Sequence, residues 1–262
     1  MNRRALTVLP RIFAAARATC QSMSGGPGYH GPTSDHFDGR RFFNLTGTSA
    51  GRSLADVLRW QFTAKRKPWP AWVENTVVPA LPGALEAGEL AITFINHITF
   101  LLQYRGLNLL TDPVFSPRAS PVQWLGPKRR HHPGVPFDAL PPIHAVLLSH
   151  NHYDHLDLQA LRRLSLEHRS LIITPLGNSA FLNAQGIEPA VDLDWWQDFQ
   201  YRQATIALTP AQHWSSRGPG NRNRNLWGGF IVSCEGQRLY FAGDARSHRT
   251  LPGGRVGGHS AL

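Results

Sequence analysis

The chain has 262 residues, 42% of them hydrophobic, with eight tryptophans and a formal net charge of +10 at neutral pH. That apolar content excludes a disordered polymer, and the length suits one large domain or two small ones. Two cysteines, Cys20 and Cys234, exclude a disulfide framework or a thiolate zinc site, and no apolar run approaches the ~20 residues of a membrane-spanning helix.

All but three of the 27 basic residues are arginine. Guanidinium forks suit phosphate and carboxylate, so the charge points to an anionic partner, with ordinary solvated side chains as the alternative.

In chain order, residues 1–36 read as a leader and linker. The opening MNRRALTVLPRIFAAARATC is rich in arginine, and the first acid is Asp35. It begins like a secretory signal, but Pro10, Arg11 and Arg17 interrupt its apolar part and no clean cleavage site follows. A disordered tail is expected, with a membrane-surface or targeting helix as the alternative. Residues 22–34, rich in glycine and proline, read as linker. Ser53 is a plausible helix N-cap; Leu54, Val57, Leu58 and Phe62 follow at helical spacing, and Pro68 and Pro70 close the helix.

From Leu90 the pattern changes to short strands. AITFIN, TFLLQYR and LNLLTD read as neighbours in one sheet, with a turn at Arg105-Gly106. Ile143–Ser149 is a continuous apolar run, hence a buried strand, and it stops at the cluster SHNHYDHLD. Leu158, Leu161 and Leu164 then recur every three residues, which predicts a helix with arginines on its outer face. LIITP is the next strand, followed by a helix near Ser179–Ala184. Thr205–His213 is a strand ending at a histidine, and GGFIVSCEGQRLYFAGDA is a hairpin turning at Glu235-Gly236 whose second strand ends at Asp244. Strands alternating with helices, with polar residues at strand ends, predict an α/β sandwich with a site along one sheet edge.

His150 and His152 lie two apart just past a strand. If the chain stays extended, both imidazoles leave from one face and can share an ion, for which neutral imidazole is a good ligand. Asp154 and His155 follow where the chain turns into the helix and could hold a second ion. Two divalent ions ~3.5–4 Å apart can share and acidify a water and clamp a phosphoryl or carbonyl oxygen, so the cluster points to metal-assisted hydrolysis.

The H-x-H-x-D-H pattern resembles the signature of the metallo-β-lactamase superfamily. FDGRRFFN, TFINHITFLLQY, LLTDPVFSPRASPVQWLGPKRR, LLSHNHYDHLD, VDLDWWQ, PAQHWSSRG, LWGGFIV and YFAGDA, spanning Phe37 to about Ala245, are similar to its N-acylphosphatidylethanolamine-hydrolysing phospholipase D branch. The resemblance implies an αββα sandwich over residues 37–246 and two zinc ions. His150, His152 and His213 would hold the first, Asp154 and His155 the second, and Asp244 would bridge them. Asp154 would be the catalytic residue that orients or deprotonates the attacking water. His97, with Asn96 in place of the branch's glycine, has a supporting or merely packing role, and Asp112 braces the turn before Pro113. Tyr153 and Arg217 are candidates for substrate or supporting contacts; GPKRRHH and SSRGPGNRNRNLW are basic loops that could receive an anionic headgroup. The implied partner is an anionic small molecule or phospholipid, met by a cytoplasmic protein with peripheral membrane contact; no nucleic acid is expected.

After Asp244 the pattern departs from the branch. Residues 247–262 are an irregular tail without apolar periodicity, and His248 and His259 come too soon to match the branch's last metal ligand. The expectation is a C-terminally truncated sandwich whose second half and second metal site are incomplete, with apolar sheet surface uncovered and weak activity. A sugar-lactone hydrolase of the same superfamily, or a catalytically silent truncated chain with one metal, are the alternatives.

Overall fold

A computed structural model of the chain describes residues 26, 28–46, 54–64, 70–77, 79–83, 85–86, 88–218 and 220–245. Helix α1 spans Leu54–Thr63 and closes ahead of Pro68 and Pro70; the expected cap, Ser53, lies outside the described residues. Phe62, expected on its apolar face, is 84% exposed.

The alternating segment forms β1 (Leu90–Asn96), β2 (Thr99–Tyr104) and β3 (Leu107–Thr111), antiparallel in that order. The β2–β3 turn needs two positive φ angles, and Arg105 (49°) and Gly106 (73°) supply them. Three parallel strands extend the sheet: β4 (Ala145–Leu147), β5 (Leu171–Pro175) and β6 (Ala190–Leu193). Parallel strands need crossovers. The first runs through α2 (Leu158–Arg163), extended by a π-helical turn at Leu164–His168, and the second through α3 (Asn178–Ala184). The second sheet is antiparallel, in the order β10 (Gln237–Phe241), β9 (Gly229–Cys234), β8 (Ala204–Thr209), β7 (Asp198–Tyr201). The sequence pattern did not signal β6 and β7.

Strand alternation sorts the core into two layers. Leu102, Leu109, Leu147 and Ile173 face the second sheet's Ile206, Leu208 and Phe230. Leu101, Leu110, Val146 and Ile172 face Leu161 and Leu164 of the α2 segment and Phe181 of α3. Each buried leucine or isoleucine contributes about 1.5–3 kcal/mol. Among the described residues the second sheet ends at β10, and Leu90, Ile92 and Phe94 of β1 and Tyr240 of β10 are 42–57% exposed. Ile92 and Phe94 pair with Leu102 and Phe100, so they belong to the face that the second sheet covers elsewhere. The mixed α/β sandwich is therefore as expected. The irregular tail expected at 247–262 lies outside the described residues.

The linker expectation fails at residues 28–36, which pack on the domain. Tyr29 sits edge-on to Phe37 at 5.0 Å, Phe37 and Phe42 are buried in the inter-sheet core, and His36 stacks on Trp195 at 4.4 Å. Glycine and proline here shape a fixed path, not a free one.

Candidate metal centre

Three segments meet at one end of the two sheets: residues just past β4, β8 and β10. From β4 the chain runs through Leu148 and Ser149 to His150, bends at His152, and turns into α2, where Asp157 caps the helix by accepting from the Gln159 and Ala160 amides. Asp157 also accepts from the Phe115 and Ser116 amides, so this second acid of the motif is structural.

His150 Nε2 lies 2.8 Å from His152 Nδ1, and His213 Nε2 lies 3.1 Å from the former and 3.3 Å from the latter. Four nitrogens at ~2.0–2.1 Å from a tetrahedral zinc stand about 3.3 Å apart, so this triangle is close to one face of such a shell. The chain is not fully extended there, and His150 and His152 converge through different ring nitrogens. A second group, His97, Asp154 and His155, also offers ligand atoms within 4.8 Å of one another. Asp244 Oδ2 stands between the groups, 3.6 Å from His155 Nε2 and 3.9 Å from His213 Nε2. Each group could hold a cation, and Asp244 is placed to serve both.

Hydrogen bonds set the tautomers that ligation requires. Fully buried Asp112 accepts from the Ser149 amide (2.7 Å), the Ser149 hydroxyl (2.5 Å) and His155 Nδ1 (2.7 Å). With its hydroxyl hydrogen directed to Asp112, Ser149 Oγ accepts from His150 Nδ1 at 2.9 Å. Both histidines then carry a proton on Nδ1 and turn Nε2 toward the centre, as a lone pair on His150 and, on His155, as a position that an ion takes by displacing a proton. His155 Nε2 is buried with no hydrogen-bond partner, as a ligand atom awaiting an ion would be; His152 Nε2, beside Trp214, is likewise unpartnered.

The electrostatics agree. Burial, then the neighbouring histidines, hold His150 well below its usual pKa; burial and His213 lower His152 to about 3, so both stay neutral. Burial works against the protonation of His155, but the hydrogen bond to Asp112 and the nearby Asp244 carboxylate outweigh it and raise its pKa to about 10. The His155 contact holds Asp244 below the carboxylate range. Burial opposes the same shift in Asp154, but His97 and His155 prevail. His97, 3.7 Å from Asp154, is raised by that contact.

Two candidates have a different place from the one a substrate contact needs. Arg217 is 4% exposed and donates through one terminal nitrogen to the carbonyls of Asn151 and Leu156, each at 3.0 Å, bracketing the His152–His155 turn from below. Its guanidinium lies 4.1 Å from the Tyr153 ring, and the Tyr153 hydroxyl donates to the Arg217 carbonyl. Arg217 and Tyr153 thus brace the motif turn. In the other basic loop, Arg129 donates to the carbonyls of Val114 and Ser116, while Lys128 and Arg130 are exposed. Ser149 was not a sequence candidate; its place between the last strand residue and the first histidine was the available signal.

Residues 107–261 match the Beta-lactamase superfamily domain. An uncharacterised protein of Mycobacterium tuberculosis is 33% identical over 252 residues, covering 92% of this chain and 64% of that protein. The N-acyl-phosphatidylethanolamine-hydrolyzing phospholipase D 1 of Caenorhabditis elegans is 36% identical over 169 residues, 61% of this chain and 47% of its own length. A solved metallo hydrolase from Ignicoccus hospitalis superposes with a TM-score of 0.47 at 18% identity, over 60% of this chain and 61% of that one. The chain spans just under two thirds of the length of the M. tuberculosis relative and about half that of the C. elegans one.

Proposed function

This chain belongs to the metallo-β-lactamase superfamily, and from that premise we propose that it is a metal-dependent hydrolase cleaving the headgroup-side phosphodiester of N-acylphosphatidylethanolamine-type phospholipids. The observation that carries the reading is the convergence of His150, His152 and His213 nitrogens within 3.3 Å, beside Asp154, His155 and Asp244. Zinc is the ion such imidazole and carboxylate donors suit. Bound there, two divalent ions would supply an acidified water and a clamp on the phosphoryl oxygens. His150, His152 and His213 would hold one ion, His155 and Asp154 the other, with Asp244 between.

The chain's own residues supply the rest. Asp154, kept ionised and half exposed, would orient the attacking water and take its proton. His97, 63% exposed beside Asp154 and favoured in its charged form, would meet the phosphate. Asp112 and Ser149 hold His150 and His155 in their ligand tautomers.

Peripheral contact with an anionic bilayer is part of the reading. Trp124 and Leu125 are 76% and 60% exposed in a loop that continues into exposed Lys128 and Arg130, a pairing of apolar and cationic groups suited to a charged lipid surface. Among the described residues no helix is long and apolar enough to cross a membrane.

The test is release of phosphatidic acid from vesicles of N-acylated phosphatidylethanolamine by zinc-loaded protein, with a sugar lactone as the competing substrate. Activity should vanish in His152→Ala while the fold persists. Lactone opening without phosphodiester cleavage would assign the alternative substrate class, and a folded, metal-loaded chain inert to both would overturn the hydrolase reading.

A further inference from the structure

We propose that the N-terminal strap, residues 28–44, is a working part of the metal centre and that Asn44 is a positioning residue for His213. The inference rests on the reading of His213 as a metal ligand.

His213 lies four residues past the end of β8, in a stretch with no regular structure, so no strand ladder fixes its backbone. Asn44 does. Its side chain is 5% exposed; its Nδ2 donates to the His213 carbonyl at 3.0 Å and its Oδ1 accepts from the His213 amide at 3.2 Å. One carboxamide therefore pairs both main-chain groups of the residue, as a neighbouring strand would. Two residues on, Asn223 grips Ser215 with side chain and main chain together: its Oδ1 accepts from the Ser215 amide at 3.3 Å and its main-chain amide donates to the Ser215 carbonyl at 2.8 Å. Asn223 also exchanges bonds with the strap, accepting from the Phe42 amide at 2.7 Å and donating through Nδ2 to the Phe42 carbonyl at 3.1 Å. The segment carrying the third imidazole is thus held at one end by the Asn44 carboxamide and at the other by the main chain and side chain of Asn223, which is itself tied to the strap.

The strap is anchored independently of His213. Phe37 and Phe42 are 1% exposed in the inter-sheet core, and His36 bonds to Asp194 Oδ1 at 2.8 Å. It can therefore place Asn44 before any ion is present. Convergence of the imidazole nitrogens to 3.1–3.3 Å demands such placement, because a small rotation at the His213 backbone is magnified at Nε2, the far end of the ring. Asparagine is required because the clamp needs one donor and one acceptor; aspartate would set a second acceptor against the His213 carbonyl.

The experiment measures the dissociation constant of the first zinc ion by chelator competition, with melting of the metal-free protein alongside, in wild type, Asn44→Asp, Thr46→Val and His213→Ala. Thr46→Val removes a bond just past the strap, Thr46 to Gln212 at 3.0 Å, and leaves both Asn44–His213 bonds in place. Asn44→Asp should weaken the first ion roughly 10–100-fold, the range for partners that orient metal ligands. It should also alter the visible spectrum of the cobalt-substituted protein, whereas Thr46→Val leaves both within twofold of wild type. If Asn44→Asp binds as wild type, or Thr46→Val loses as much, the inference is overturned. If His213→Ala keeps full affinity, the ligand reading itself falls. Should Asn44→Asp not fold, hydrogen exchange in the metal-free wild type decides: the His213 amide is protected if the strap pre-places it, and unprotected until zinc is added if it does not.

Discussion

Replacing Gly243 by alanine tests how Asp244 reaches the centre. Gly243 has φ of 58°, and a Cβ built on it would lie 2.7 Å from Ser149 Cβ and 3.0 Å from Ser149 Oγ. Two costs add. An L-residue held in the left-handed region costs about 1–2 kcal/mol, and forcing a methyl into a filled site costs about 1–3 kcal/mol. Ser149 has little room to retreat, since its amide and hydroxyl bond to Asp112 and its carbonyl accepts from the Gly228 amide at 3.0 Å. The strain must fall on the Asp244 side or on the Ser149–His150 contact. Gly243→Ala should therefore lose about 2–5 kcal/mol of stability in urea titrations of the metal-free protein. Zinc titration at a temperature where the variant is folded should show a weakened ion shared by His155 and Asp244. Wild-type stability together with wild-type zinc affinity would refute the packing argument.

Metal loading should release protons unequally. His155 is raised to about 10, so its contribution to metal-free stability is fully present below the unfolded pKa near 6.5 and is lost as pH rises through about 10. An ion taking its Nε2 must displace that proton, so affinity at this site should climb roughly tenfold per pH unit below 10. His150 and His152 are already neutral and add no such dependence; calorimetry in buffers of different ionisation enthalpy should assign about one released proton to one ion, and equal release for both would contradict this. In Arg217→Met the carbonyls of Asn151 and Leu156 lose their donor, at about 1–3 kcal/mol each, so stability should fall by about 2–6 kcal/mol, with KM for an anionic substrate unchanged where the protein is folded. A stable variant with raised KM would restore the substrate-contact role. Trp124→Glu with Leu125→Glu should abolish co-sedimentation with anionic vesicles without lowering the melting temperature, both residues being exposed; retained binding would remove this loop from the membrane reading.

The strands around the site were legible because their residues serve one purpose each. Alternation in β1 to β3, the unbroken apolar run of β4 and the Glu235-Gly236 turn, with φ of 45° and 83°, are local signals of burial and backbone shape. The six candidate ligands were legible for a similar reason, since histidines and acids gathered at strand ends have few other uses. What stayed hidden depends on partners far away in sequence. β6 and β7 are four residues long and carry Asp192, Asp198 and Gln200, so neither shows a clear period; Asp192 instead accepts from the Gly177 and Ser179 amides at the start of α3. Arg217 looked like an exposed cation because nothing in its neighbourhood announces that carbonyls 61 and 66 residues away will surround it. Residues 28–36 looked like linker because composition cannot tell a rigid irregular path from a loose one.

The hidden contacts share one physical character. The sheet ladders end before any proposed ligand, so placement of His150, His155, His213 and Asp244 falls to buried polar groups and one glycine: Asp112 with Ser149, Asn44 with Asn223, Gly243, and Arg217 beneath the motif turn. Burying such groups is unfavourable unless every donor and acceptor is matched, at about 1–3 kcal/mol for each failure. An apolar filling of the same volume would stabilise the fold better, so matched polar groups concentrated at one end of a sandwich are explained by the accuracy they give the side chains above them. The same reasoning locates where the chain is vulnerable. A change that unmatches one bond here costs stability and geometry together, whereas an equal loss in the inter-sheet core, such as Ile206→Val, should lower stability by about 0.5–1.5 kcal/mol and leave zinc affinity alone.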